Sequence, residues 1–203
     1  MLKELFIGHR PSHFHLNPIV KAFIISETFI WASWNFFTPI FAIFASTTIA
    51  GGNTEIAASS FSSYLMARVL FELVSGKFLM KSDEFQKFIV AIIGIIILSI
   101  TYIGYASTHT IVQLYVFSIM SGLGLGISTP AKNALFSTHL DKNKEAAEWG
   151  IYDATAFMGM ALAATLGGFI ANKYGFQFLF LLAAMINFLG IIPYLLILNK
   201  PTK

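Results

Sequence analysis

The sequence predicts an all-α membrane protein with six transmembrane helices, and three observations support that fold class. Of the 203 residues, 56% are hydrophobic and only 11% are charged, whereas a soluble domain carries roughly 25% charged residues. The apolar residues fall in runs of about 20, the length that crosses a bilayer as a helix. Most lysine and acidic residues lie in the short intervals between those runs. Because so small a globule cannot hide this apolar fraction in its core, lipid is the predicted solvent.

The six predicted spans are mostly apolar and are separated by short polar loops. They cover residues 18–46, 56–80, 88–106, 111–135, 150–172 and 176–198. A Gly51-Gly52-Asn53 turn closes the first span, and almost every residue from Ile92 to Ile100 in the third is aliphatic. Such short loops make successive helices antiparallel neighbours. The transmembrane domain is therefore predicted over 18–198, with tails at 1–17 and 199–203.

Lysine and arginine residues are distributed unequally between the two sides of the predicted bundle. Nine lie on the side of the termini and one, Lys173, lies on the other, while Lys21, Arg68 and Lys132 lie inside the predicted spans. The nine are Lys3, Arg10, Lys77, Lys81, Lys87, Lys142, Lys144, Lys200 and Lys203. By the positive-inside rule both termini are predicted to be cytoplasmic. We expect a multi-pass protein of the inner or plasma membrane of a bacterium or archaeon, with its first span retained because no small-residue cleavage pattern follows it.

Ionisable and aromatic side chains also occur inside the predicted spans, where a charge usually faces protein or water. In the first span, positions 27, 31, 34 and 38 fall on one helical stripe, with residue 35 at its edge. In the second, positions 64, 68 and 72 follow at steps of four and share a face. The candidate residues of a substrate or ion pathway are therefore Glu27, Trp31, Trp34, Asn35, Tyr64, Arg68, Glu72, Lys132 and Asp153.

Glu27 is the most informative of these residues because it lies about ten residues, or roughly 15 Å, into its helix. The antiparallel second helix brings Arg68 to a similar depth, so we expect these two side chains to pair. Two alternatives stay open: Arg68 can pair with Glu72 on its own helix, and Lys132 and Asp153 can reach water near the span ends. Spans three and six contain no charged residue. They are predicted to face lipid, while spans one, two, four and five line a cavity or a partner interface.

Small residues recur in the fourth and fifth spans at spacings that place them on helix faces. Small residues at this period let helix backbones approach closely. The residues predicted to serve helix packing are Gly122, Gly124, Gly126, Gly159, Gly167 and Gly168.

These motifs, taken in order, resemble the major facilitator superfamily. The resemblance runs from the glycines at 122–126 and Pro130-Ala131, through the polar loop with Glu145 and Glu148, to the small residues at 159–168 and the turn at 172–176. It implies one half of that family's fold, with six helices in two inverted three-helix repeats, and helices one, two, four and five around a cavity. One departure lies in the loop after the second span. Gly76 is present there, but Met80 occupies the position of the family's aspartate, and no later Gly-Arg pair follows.

These residues allow three function classes to be compared: a transporter, an accessory subunit and an enzyme. The favoured one is a half-size secondary transporter of a small solute, working as a homodimer of six-helix halves by alternating access. Glu27 would then couple protons as a symporter or antiporter, and Arg68 would attract an anionic substrate group. The alternative is an accessory or assembly subunit that pairs with another half-transporter chain. An enzyme is not expected, because no histidine lies mid-span beside a nucleophile. No cofactor, metal or nucleic acid is expected, and the predicted partners are the bilayer, a second copy and a small-molecule substrate.

Overall fold

The computed structural model describes residues 16–198, and this part of the chain is helical throughout, with no strand beyond one isolated bridge between Ala50 and Thr110. The expected all-α class is thus confirmed for these residues. The helices are α1 (Pro18–Asn35), α2 (Phe41–Thr47), α3 (Thr54–Leu79), α4 (Glu84–Ala106), α5 (Ile111–His139), α6 (Glu145–Leu189) and α7 (Ile192–Leu198), with a 3-10 turn (Thr38–Ile40) between α1 and α2. The predicted tails lie outside the described residues, apart from positions 16 and 17.

Four stretches of the described residues are long and apolar enough to cross a membrane. They are Pro18–Thr47, Glu84–Ala106, Ile111–His139 and Glu145–Leu198. The predicted second span is not among them, although α3 has 26 residues. Its five serines and the charges of Arg68 and Glu72 dilute its apolar character. By length and composition the protein is therefore a multi-pass membrane protein, and the six-span count stays a prediction.

Several helices begin directly after a polar loop residue whose side chain caps the first turn. Asp83 caps α4: its carboxylate accepts from the Gln86 amide at 2.7 Å, and the Gln86 side chain accepts from the Asp83 amide at 3.2 Å. This reciprocal arrangement satisfies donors that would otherwise lack partners at a helix start. The other side-chain caps are Asn17 for α1, Asn53 for α3 and Thr110 for α5.

A glycine interrupts the 45-residue helix α6. A continuous helix of that length would measure roughly 68 Å, more than twice the thickness of a hydrocarbon core. Gly175 has φ 83° and ψ 167°, a non-helical conformation that glycine adopts without steric cost. It divides α6 into a first arm (residues 145–174) and a second arm (residues 176–189). The interval between the predicted fifth and sixth spans contains this glycine.

Glycines mark the closest approaches between helices. On α5, a Cβ at Gly126 would lie 2.7 Å from the Arg68 carbonyl oxygen of α3, and one at Gly124 would lie 2.9 Å from the Gly94 carbonyl oxygen of α4. On the first arm of α6, a Cβ at Gly159 would lie 3.0 Å from the Thr28 side chain of α1. Gly122 and Gly167 face the backbones of Tyr64 and Phe36 in the same way. Gly168 does not belong with this set, because a Cβ there would meet no atom within 4 Å.

The second arm of α6 joins α1 and α4 through the buried side chain of Asn187. Its amide donates to the Ile95 carbonyl at 2.9 Å and to the Ser99 hydroxyl at 2.8 Å, and its oxygen lies 3.2 Å from the Ser33 hydroxyl. The next turn is held to α1 as well, because the Ser26 hydroxyl donates to the Gly190 carbonyl. These polar contacts fix α1, α4 and the second arm against one another.

Burial differs between the helices in a way that charge placement did not indicate. Eleven of the 23 residues of α4 are buried, because α4 packs against both α5 and the second arm of α6. Only six of the 26 residues of α3 are buried, since α3 packs mainly on α5. The predicted third span thus has a well-covered inner face as well as exposed apolar residues such as Ile93 and Ile103.

Candidate functional site

The centre of the site is a buried ion pair between Glu27 of α1 and Lys132 of α5. The lysine Nζ lies 2.9 Å from Glu27 Oε1 and 3.0 Å from Oε2, so it bridges both carboxylate oxygens. Both side chains are about 5% exposed or less. A buried charge is tolerated only when it is paired and hydrogen-bonded, and each member of this pair supplies what the other needs.

Two tyrosines complete the coordination of the carboxylate. Tyr152 of the first arm of α6 donates to Glu27 Oε2 at 3.2 Å, and Tyr194 of α7 donates to Oε1 at 3.1 Å. Oε2 therefore accepts hydrogen bonds from the lysine and Tyr152, while Oε1 accepts one from Tyr194 and contacts the lysine as an ion pair. We call these four residues the Glu27 cluster. It joins α1 to α5, α6 and α7, which lie more than 70 residues further along the chain.

The local sequence explains why these side chains meet. Asn17, which caps α1, also donates to the carbonyl of His139 at the end of α5 at 3.5 Å, so the two helix ends are neighbours. Glu27 lies nine residues into α1 and Lys132 lies seven residues before the end of α5. At roughly 1.5 Å per residue their depths differ by only about 3 Å, which the long lysine side chain spans.

Aromatic rings surround the Glu27 cluster and exclude water from it. Phe23 packs against Tyr194 with ring centroids 5.0 Å apart, and Phe136 packs against Tyr152 at 4.9 Å. Both phenylalanines are buried. The ion pair therefore lies in apolar surroundings, where its electrostatic attraction is stronger than in water.

The expected pairing of Glu27 with Arg68 is wrong. Arg68 Nε lies 3.3 Å from Glu72 Oε2, and its Nη1 donates to the Tyr64 hydroxyl at 3.1 Å, so all three partners belong to α3. This is the alternative in which the second span neutralises its own charges. The reason is packing: α3 contacts mainly α5, and Lys132 of α5 reaches Glu27 instead. Lys132 does not extend to water.

Four of the remaining predicted pathway residues line two clefts. Trp34 and Tyr64, whose ring centroids are 5.0 Å apart, line the first cleft, a narrow space of about 20 Å³. Trp31 and Asp153 line the second cleft, which has a volume of about 170 Å³. Asn35 is half-buried and donates to the Trp31 carbonyl of its own helix at 3.0 Å.

Four residues of this arrangement were not singled out by the sequence: Tyr152, Tyr194, Ser33 and Asn187. None carries a charge at neutral pH, so a search for charges inside spans passes over them. A depth comparison could have found Lys132, because it lies on the same side of the bundle as Glu27 and at nearly the same depth. Within residues 16–198 no three His, Asp or Glu side chains are grouped as metal ligands.

Comparison with known proteins gives one family. Residues 23–203 match the profile of the Major Facilitator Superfamily. An uncharacterized MFS-type transporter of Methanocaldococcus jannaschii is 25% identical over 161 residues, which are 76% of this chain and 40% of that protein. The bacillibactin exporter of Bacillus subtilis is 29% identical over 89 residues, which are 44% of this chain and 22% of the exporter. The chain thus spans well under half the length of these two relatives.

Solved structures agree in fold. The in meso crystal structure of the POT family transporter PepTSo superposes with a TM-score of 0.81 over 94% of this chain and 40% of the transporter chain, at 16% identity. An auto-inhibited POT family peptide transporter gives a TM-score of 0.74 over 92% of this chain and 38% of its own, also at 16% identity. At this identity the likeness concerns the fold alone.

Proposed function

The chain belongs to the Major Facilitator Superfamily, as its motifs predicted, and from that premise we propose that it forms one six-helix half of a secondary transporter of a small solute. The second half is supplied by a second copy, and the two halves rock about a shared cavity to give alternating access. The coverage of its relatives supports the half assignment, since the chain spans 40% of the archaeal transporter.

Helix contacts support six spans built as two three-helix repeats. If Gly175 separates the fifth span from the sixth, span one packs on spans five and six, span four packs on spans two and three, and span three meets span six. Exchanging one with four, two with five and three with six maps this set of contacts onto itself. A pseudo-two-fold relation between the repeats has this consequence.

The observation that carries the proposal is the set of incompletely covered charges that lie seven or more residues inside their helices. The side chains of Arg68 and Glu72 are 26% and 39% exposed, and Asp153 is exposed eight residues into α6. Charges at such depths are costly in contact with lipid, so they face a water-filled cavity or another protein surface. A second half provides both.

Oligomeric state tests this proposal directly. Native mass spectrometry of the full chain in nanodiscs should give two copies per disc, and Asp153→Cys should react with a water-soluble maleimide while Ile103→Cys should not. The native chain has no cysteine, so the labelling has no background. A strictly monomeric protein, or equal labelling of the two variants, would contradict the homodimer with a shared cavity. A different membrane chain recovered in a fixed ratio would support the accessory-subunit alternative.

Proton coupling is proposed at Glu27. Its protonation would cancel the charge that holds Lys132 and loosen the contact between α1 and α5. Proton binding would thereby shift the equilibrium between two arrangements of these helices. In proteoliposomes, with a solute identified by an uptake screen, Glu27→Gln should lose pH-driven uptake and retain solute exchange. Glu55→Gln, at the exposed start of α3, is the matched control. Wild-type pH-driven uptake by Glu27→Gln would exclude the coupling role.

Both termini are proposed to be cytoplasmic. Lys3 and Lys203 lie outside the described residues, so the support comes from the lysine and arginine distribution. Reporter fusions at the two ends should both give the cytoplasmic signal. A C-terminal fusion that reports the outside would overturn the six-span topology.

A further inference from the structure

The second cleft lies between α1 and the first arm of α6 and combines one carboxylate with an otherwise apolar and aromatic lining. Its walls are Trp31, Tyr152, Asp153, Ala156, Phe157 and Met160. The cleft has a volume of about 170 Å³ and is open rather than enclosed.

Among the described residues that line the cleft, Asp153 is the only ionisable one besides Tyr152, and no described cation pairs with it. It is exposed, and within residues 16–198 it makes no hydrogen bond and no salt bridge. The adjacent Tyr152 donates to Glu27, so Asp153 lies near the depth of the Glu27 cluster. The carboxylate therefore stands free at a level of the span where a negative charge requires a counter-ion or water.

The two cations within the described spans nearest in depth, Lys132 and Arg68, are both engaged elsewhere. Lys132, the cation of the neighbouring Glu27 cluster, is buried and already bridges both oxygens of Glu27. Arg68 is held by Glu72 and Tyr64 on α3. A ligand entering the cleft thus meets a net negative wall.

The aromatic residues favour the same sign of charge. The faces of indole and phenol rings carry negative potential and attract cations within about 6 Å of the ring centre. Trp31 and Tyr152 provide such rings beside Asp153, while Phe157 and Met160 supply apolar and polarisable contact for the body of a ligand. An anion would be repelled by the carboxylate and gain nothing from the rings.

We propose that this cleft binds monovalent organic cations, such as hydrophobic ammonium or phosphonium ions, with Asp153 as counter-ion and Trp31 and Tyr152 as the aromatic walls. To call these cations the transported substrate rests on the proposed transport function. Binding itself does not depend on transport, so the two can fail separately. It also replaces the sequence expectation that an anionic group is attracted at Arg68.

The test uses two probes of the same shape and opposite charge. Calorimetric titration of the full chain in nonionic detergent, with empty micelles as blank, should show saturable binding of tetraphenylphosphonium and none of tetraphenylborate. Asp153→Asn should weaken phosphonium binding by about tenfold or more, while Asp153→Glu should largely keep it. Glu55→Gln, which removes a distant exposed acid, should bind like the wild type.

Each result decides the matter. Because the Asp153 side chain makes no hydrogen bond in the described part of the chain, Asp153→Asn should melt like the wild type, so its loss of binding cannot be attributed to unfolding. Equal phosphonium affinity in Asp153→Asn and wild type would overturn the proposal. Preference of the wild type for tetraphenylborate, abolished by Arg68→Gln, would also overturn it and favour an anion site at α3. Binding with no transport would leave the cleft assignment intact and count against the transport proposal alone.

Discussion

Replacing Lys132 by methionine should destabilise the fold more than any exposed charge substitution. The substitution keeps most of the side-chain volume and removes the ammonium group, so Glu27 is left as a buried carboxylate with two tyrosine donors. At 2.9 Å and an effective dielectric constant of about 20, the lost attraction is about 6 kcal/mol. The desolvation that Lys132 no longer suffers offsets part of this. The expected net loss is about 3–5 kcal/mol, the range found when one partner of a buried pair is removed.

A double-mutant cycle separates the pair from its surroundings. Adding Glu27→Gln to Lys132→Met removes the orphaned charge, so the double variant should recover at least about 2 kcal/mol relative to Lys132→Met alone. Unfolding of the purified chain in mixed micelles by increasing SDS gives the three free energies. Lys142→Met, at an exposed loop lysine, is the control and should change stability by less than about 0.5 kcal/mol. Additive losses in the double variant, or a Lys132→Met loss within about 1 kcal/mol, would refute the buried-pair reasoning.

Three further outcomes follow from the packing and can be measured by the same SDS unfolding. Gly122→Ala should cost about 1–3 kcal/mol of folding stability, because its Cβ would lie 2.8 Å from the Ala67 Cβ of α3. Gly168→Ala, which faces open space, should be neutral or slightly stabilising. Equal effects of the two substitutions would contradict the α3–α5 contact. Asn187→Leu should cost about 1–3 kcal/mol by leaving the Ile95 carbonyl and Ser99 hydroxyl without their amide donor, and a neutral result would show that this link is dispensable. Gly175→Ala should cost about 1–2 kcal/mol because alanine is strained at φ 83°, and no loss would mean that the break can shift to another residue.

The sequence predicted helix positions well because their signals are local. The Gly175 break depends on the residue itself and its close neighbours, so the turn at 172–176 is visible in the sequence, whereas α4 begins at Glu84, four residues before the predicted third span. The partner of Glu27 was missed for a non-local reason. Arg68 of α3 and Lys132 of α5 both lie at a depth from which they could reach Glu27. Only the packing of α3 on α5 decides which of them pairs with it. No local sequence pattern indicates that Tyr194 of α7 joins the Glu27 cluster, because this contact depends on how α7 packs against α1.

The filled coordination of Glu27 has a consequence for the timing of any response to pH. A carboxylate has about four lone-pair positions, and here two contacts from Lys132 and one from each tyrosine occupy them all. An incoming proton finds no vacant position, so one donor must swing away before protonation. Under the proposed coupling at Glu27, proton uptake from solution is therefore preceded by a structural opening, and its rate after a sudden acidification should level off at the opening rate rather than rise in proportion to proton concentration. Tyr194→Phe, which removes the hydrogen bond from α7 to Glu27, should raise this limiting rate.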